Sequence, residues 1–179
     1  MKEVLLHSCC APCSAPIVEW MLNNGVLPTL FFFNPNIYPT EEYLIRKREC
    51  IRYAEQQGVA FIDGDYDHER WLGEIAGWED QPERGLRCAQ CFKVRLQATA
   101  LLASEKGFRS FTTTLAGSRW KDFKQITEAG QWAASLVNGL EYWDKDWKKG
   151  GLTERRGILL KENNFYNQLY CGCEFSIRK

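Results

Sequence analysis

Short apolar runs alternate with stretches of helical periodicity along most of the chain. Val4–His7 reads as a strand, and Ala15–Asn24 as a helix that Gly25 stops. Leu30–Phe33 is apolar throughout, as in a strand covered on both faces. Prolines and asparagines punctuate Asn34–Pro39, which must be a loop. Thr40 can cap a helix to Gln57, with Glu41 and Glu42 in its first turn and Gly58 at its end. Val59–Asp63 is a third strand, and Tyr66–Ala76 a weaker helix. After polar Gly77–Gly85 comes a strong helix, Arg87–Lys106, stopped by Gly107. Phe108–Leu115, rich in Phe and Thr, predicts a fourth strand. A helix over Lys121–Val137 and a short strand at Glu141–Trp143 follow. Asp144–Gly151 has the look of a mobile loop, Leu152–Asn163 of a helix, and the rest of an irregular tail.

Strand–helix alternation predicts an α/β architecture with right-handed crossovers. The expected fold is Rossmann-like: a doubly wound, mainly parallel sheet of about five strands with helices on both faces. Ligands of such sheets sit beyond the carboxyl ends of the strands. The segment after Val4–His7 and the loop Asn34–Pro39 both fall there. The 179 residues are most simply one domain, 1–179, whose tail from about residue 164 returns to the site.

Charge narrows little, since 23 basic side chains balance 23 acidic ones. Net charge gives no support for nucleic-acid binding and leaves local basic surfaces open. No apolar run approaches the roughly 20 residues that cross a membrane. The N-terminus does not read as a signal peptide, and a cytoplasmic location is the default expectation. In that reducing compartment eight cysteines point to metal binding or redox chemistry rather than a disulfide framework.

The chain is organised around His7-Ser8-Cys9-Cys10-Ala11-Pro12-Cys13-Ser14. Three cysteines with a proline among them predict a compact turn that aims several sulfurs at one point. Cys88-Ala89-Gln90-Cys91 opens a helix, so both sulfurs share a face. Cys171 and Cys173 converge only in an extended or turn conformation, which Gly172 allows. Seven clustered thiols exceed what one tetrahedral zinc site uses, and four in an iron–sulfur cluster leave three over. A structural zinc site built on two of the pairs stays open, as does thiol–disulfide exchange at Cys10 and Cys13. Cys50, alone in mid-helix among Arg46, Lys47, Arg48 and Arg52, reads as packing.

Together, Leu5 to Ser14, Arg87-Cys88-Ala89-Gln90-Cys91-Phe92, Phe111-Thr112-Thr113-Thr114-Leu115 and Tyr170-Cys171-Gly172-Cys173-Glu174-Phe175-Ser176 resemble the QueH family, the cobalamin-independent epoxyqueuosine reductases. The resemblance runs over nearly the whole chain. It implies reduction of epoxyqueuosine to queuosine at the tRNA wobble position, the last step of that modification. It implies a [4Fe-4S] cluster beside an additional mononuclear iron, held among Cys9, Cys10, Cys13, Cys88, Cys91, Cys171 and Cys173. Some relatives carry aspartate where Cys13 stands, which assigns that position to the second metal. It also implies a HUP-type fold like that of PP-loop ATPases, with cysteines where the phosphate loop has glycines. ATP is therefore not expected there, and a tRNA thiolase of this fold is the weaker reading. Many relatives have Ser-Pro, a polar residue and Lys after the Thr-rich strand. Here Ser118-Arg119-Trp120-Lys121-Asp122 keeps Lys121 and Asp122 in place.

Turning the epoxide into an alkene takes two electrons and two protons and releases water. An iron next to an electron-delivering cluster suits that need. Cys9 and Cys13 are the expected catalytic ligands, and Tyr38, His7, Glu42 and Asp122 the candidate proton donors. The expected partners are a tRNA carrying epoxyqueuosine in its anticodon loop and an unidentified electron donor. Lys145, Trp147, Lys148, Lys149, Arg155 and Arg156 combine basic and aromatic character as single-stranded RNA sites do, with Arg46, Lys47 and Arg48 a second possibility. A zinc-stabilised RNA-binding module without redox activity is the alternative to the reductase.

Overall fold

The protein is described by a computed structural model covering residues 1–177; the end of the predicted tail, 178–179, lies outside the described residues. Five parallel strands form one sheet: β1 (Lys2–His7), β2 (Val26–Phe32), β3 (Ala60–Asp63), β4 (Ser110–Thr113) and β5 (Glu141–Tyr142). Their order is β3-β2-β1-β4-β5, so the winding reverses between β1 and β4. Helices α1 (Ala11–Asn23), α2 (Thr40–Gln57) and α6 (Leu152–Glu162) pack on one face. The other face carries α3 (His68–Glu74), α4 (Leu86–Lys106) and α5 (Phe123–Ser135). This is the expected doubly wound architecture. Because both faces are covered, Val4, Leu5 and Leu6 of β1 are all fully buried. Each such side chain contributes roughly 1.5–3 kcal/mol by leaving water. No helix among the described residues is long and apolar enough to cross a membrane.

Several boundaries depart from the pattern, each for a local reason. Helix α1 begins at Ala11, not Ala15, so Cys13 lies in its first turn and only Ser8, Cys9 and Cys10 form the connection. Pro12 suits that first turn, where its fixed φ is helical and no N–H is needed. Strand β2 extends back to Val26 through Pro28. That proline is tolerated because β3 pairs only from Thr29 onward. Thr40 is the first residue of α2, and the cap position is Pro39. Strand β4 stops at Thr113, and Thr114–Gly117 coil into a 3-10 turn that the Thr113 hydroxyl caps.

The segment Asp144–Gly151 is anchored rather than mobile. Trp147 is 1% exposed, packs against Trp20 and Trp143, and donates from Nε1 to Thr112 Oγ1 at 3.2 Å. Its ring fixes the chain after β5 over the end of β4. The edge strand β5 is short and relies on a close helix. A Cβ built on Gly130 of α5 would stand 2.6 Å from the Tyr142 ring. Gly130→Ala is therefore expected to destabilise the fold by about 1–3 kcal/mol through overpacking. Chemical denaturation of both proteins measures this, and an unchanged midpoint would contradict it.

Candidate metal centre

The connection after β1 is held from three sides. Ser8 donates its N–H to Phe31 O at 2.9 Å, and its carbonyl accepts from Asn34 Nδ2 at 2.9 Å. Asn34 Oδ1 in turn accepts from Arg95 Nη2 of α4 at 2.7 Å. Thr114, just past β4, accepts the Cys9 N–H at 2.9 Å and donates the same hydroxyl to Cys9 Sγ at 3.1 Å. The sulfurs of Cys9, Cys10 and Cys13 consequently lie within 4.8 Å of one another, all buried. Three thiols this close cannot all ionise in the metal-free protein. Hydrogen bonds from Cys10 and Cys13 hold Cys9 well below the usual thiol range, whereas the hydrogen bonds of Cys10 to Cys13 and Cys9, with burial, push Cys10 up.

Four more thiols face a second cavity. The first turn of α4 brings Cys88 and Cys91, and the tail brings Cys171 and Cys173. Trp71, Arg87, Arg95 and Lys121 line the same space. Arg84 N–H donates to Cys88 Sγ at 3.3 Å, and Arg95 Nη1 to Cys91 Sγ at 3.8 Å. Burial pushes the thiols of Cys88, Cys91 and Cys173 up, so they ionise most readily when a cation binds. Among the described residues, Trp71 Nε1, Arg87 Nε and Nη2 and Arg95 Nε are buried N–H donors without an acceptor. Orphaned donors around four sulfurs fit an anionic iron–sulfur cluster, whose sulfides accept such bonds.

The tail is carried to this cavity by Arg46 of α2. Its buried guanidinium donates to the carbonyls of Tyr170 and Cys171 at 3.0 and 2.8 Å and pairs with Glu42 at 3.1 Å. Gly172 passes so close that an added Cβ would stand 3.0 Å from Asn36 Nδ2. Tyr38 N–H donates to Gly172 O at 2.9 Å. The loop Asn34–Pro39 thus forms the seat of Cys171-Gly172-Cys173.

Of the proton-donor candidates, none faces both sulfur groups. His7 is fully buried between Thr113 Oγ1 and Phe33 O, both at 2.9 Å. Burial, with help from Arg95, lowers its pKa to about 3, so it is neutral at physiological pH. Glu42 is occupied by Arg46 and the Tyr166 hydroxyl. Asp122 caps α5, accepting from Lys124 N at 2.9 Å. Tyr38 lies on the surface, 43% exposed, with its ring over His68. Lys121, beside Asp122 in sequence, stands in the four-thiol cavity and is 8% exposed, with Nζ on Ser118 Oγ at 3.2 Å. Burial opposes its charge, yet Cys171 and Cys9 together raise its pKa. It therefore answers to both groups of thiols. The family resemblance keeps Lys121 in place after the Thr-rich strand, but its position in the cavity is read only from the fold.

The basic segment divides. Trp147 is core and cannot serve as a base-stacking platform without leaving it. Lys145 lies over the rings of Trp20 and Trp147, while Lys148 contacts Asp146 and Ala116 O. Lys149 is exposed. Arg155 is engaged by Glu19 through two bonds of 2.7 and 2.8 Å. Arg156 is turned inward, its charge favoured by Cys13 and Cys10 although burial opposes it. In α2, Arg46 is buried and Lys47 is paired with Asp63. Cys50 is buried too, 3.5 Å from Ser8 Oγ and outside both thiol groups, as its sequence context suggests.

The profile of the family described as "Epoxyqueuosine reductase QueH" matches residues 4–179. Proteins of that name are similar to this chain. The one from Histophilus somni is 49% identical over 99% of this chain and 73% of its own length. That from Acinetobacter baylyi is 47% identical over 98% and 81%, and that from Thermotoga maritima 32% over 99% and 91%. Among solved structures, the U34-tRNA thiolase NcsA from Methanococcus maripaludis with its [4Fe-4S] cluster aligns with a TM-score of 0.57 at 10% identity. The alignment covers 99% of this chain but only 61% of that one, and at such identity it speaks to the fold alone.

Arg46 generates a test of the tail's seat. Arg46→Met leaves two carbonyls unpartnered and the buried Glu42 carboxylate without its cation, and is expected to loosen the tail at a cost of about 3–5 kcal/mol. In metal-free protein, Cys171 and Cys173 should then react with a thiol reagent several-fold faster while Cys9 and Cys10 do not. Equal acceleration at all four would mean that Arg46 supports the whole fold rather than the tail.

Proposed function

The chain belongs to the epoxyqueuosine reductase QueH family, and we propose that its seven clustered thiols serve that reduction as two neighbouring metal sites. The enzyme is an oxidoreductase that converts epoxyqueuosine to queuosine at the tRNA wobble position, the final step of queuosine formation. One observation carries the division of labour: four thiols share a cavity ringed by orphaned N–H donors, and three more form a separate tight group. Cys88, Cys91, Cys171 and Cys173 match the four ligands of a [4Fe-4S] cluster. Cys9, Cys10 and Cys13 suit a mononuclear iron, since three protein ligands leave a position for substrate. This reading keeps Cys9 and Cys10 out of the cluster, although the family resemblance admits them as its ligands.

Bound there, the two groups supply single electrons and a Lewis acid for the epoxide oxygen. The chain's own residues do the rest. In the net reaction both C–O bonds of the epoxide break, a C=C bond forms, and oxygen leaves as water with two protons and two electrons. The electrons come from an unidentified reduced partner. Lys121 Nζ holds a proton between the two sulfur groups and is the donor we favour over Tyr38 and Asp122. Tyr38, exposed beside Gly172, suits stacking of an anticodon-loop base better than acid chemistry. Lys148 reaches Ala116 O in the turn after β4, Lys145 lies over the Trp147 ring and Lys149 is exposed, and the three suit phosphate contacts. Residues 1–179 act in this reading as one iron–sulfur reductase domain, in a compartment reducing enough to keep eight thiols free.

The test is anaerobic turnover of epoxyqueuosine-containing tRNA, with iron and sulfide assayed on the same preparation. Brown protein holding more iron than sulfide is expected. Cys88→Ser should lose sulfide and iron together, whereas Cys13→Ser should keep sulfide and lose the extra iron and turnover. Lys121→Met should keep both metal sites while turnover falls about 10²–10⁴-fold. A colourless protein holding zinc alone, with no turnover, would sink the proposal in favour of a zinc-stabilised RNA-binding module.

A further inference from the structure

The tail carries an inversion of the usual burial rule. Leu169 is 77% exposed, while its polar neighbour Gln168 is 4% exposed. No helix or strand forces that choice, because residues 163–173 have no regular structure. The buried carboxamide lies against the three-thiol group, with Nε2 at 3.0 Å from Cys10 Sγ. Its Oε1 is buried and meets no donor among the described residues. An amide half satisfied in a core is unfavourable unless its other contact matters.

Three thiolates around a divalent ion carry one net negative charge in a buried place. An N–H donor against one of the sulfurs offsets part of that charge and fixes the sulfur's lone pair. Cys9 has its own donor in the Thr114 hydroxyl, at 3.1 Å. Cys9 and Cys10 thus each have one polar partner, from different parts of the fold.

We propose that Gln168 is a positioning residue of the three-thiol site, orienting Cys10 so that these sulfurs retain a divalent iron beside the cluster. This rests on reading the group as the second iron's site.

The full-length protein, purified anaerobically, provides the test. Gln168→Leu is compared with wild type for iron per sulfide, for the Mössbauer signature of non-cluster iron, and for affinity toward re-added Fe(II). The variant should keep its sulfide and bind the extra iron about 10–100-fold more weakly. Unchanged affinity and signature would overturn the proposal. If Gln168→Leu fails to fold, Gln168→Met decides, with a shifted signature expected and an unshifted one overturning it. Wild type with no iron beyond its sulfide would instead remove the premise, an outcome told apart because it appears before any variant is made.

Discussion

The side chain of Asn34 is the constraint on which the sulfur end of the molecule depends. It reaches from the end of β2 to the connection after β1, giving its Nδ2 protons to Ser8 O and taking Arg95 Nη2 on Oδ1. One buried carboxamide therefore ties β1, β2 and α4 together at the point where the sheet's winding reverses. A buried connection with unmet carbonyls would be unstable, because each unsatisfied group costs about 1–3 kcal/mol. With Ser8 held in this way, Cys9 and Cys10 can turn inward and the chain can enter α1 at once. The same arginine lies against Cys91, so the link that shapes the three-thiol group also reaches the four-thiol cavity.

Gathering seven thiols in a dry place raises an electrostatic difficulty that the zero net charge conceals. Metal binding takes protons from sulfur and leaves negative charge where water cannot solvate it. The fold meets this with cations and N–H donors, several of whose N–H groups have no protein acceptor among the described residues. Arg87, Arg95, Trp71 and Lys121 line the four-thiol cavity. Balanced composition thus comes from an uneven distribution, with inward-facing cations set against acids elsewhere. That distribution explains why the basic residues of the chain make a poor guide to an RNA surface.

The architecture was legible because its signals are local. Short apolar or β-branched runs marked β1 to β4, and Gly58 and Gly107 stopped α2 and α4 as left-handed caps. The cysteines were legible as chemistry, since seven thiols exceed a structural need. What could not be read was anything decided by tertiary contact. Pro12 read as part of a turn, whereas the helix begins one residue before it, and β2 runs back through Pro28 because β3 is too short to need its N–H. Trp147 and Arg155 belong to a set of basic and aromatic residues that resembles an RNA site, but the core takes the first and Glu19 the second. The 4-and-3 grouping of the thiols is likewise a product of where the tail lands, and spacing along the chain says nothing of that.

The tail is the element whose position depends most on the site it completes. It has little regular structure beyond one 3-10 turn, and it is kept in place by single groups: Arg46 on two carbonyls, Gly172 against Asn36, Gln168 on Cys10. It supplies two of the four thiols of one group and an amide contact to the other. A metal bound at either place therefore cross-links the tail to the sheet edge, and its binding free energy becomes folding free energy for this segment. Chain order reinforces the point, because Cys171 and Cys173 lie far from Cys88 and Cys91 and closing that long loop is entropically unfavourable without a ligand shared between its ends. The site is thus assembled last by the segment with the least structure of its own, around a turn that Asn34 has already set.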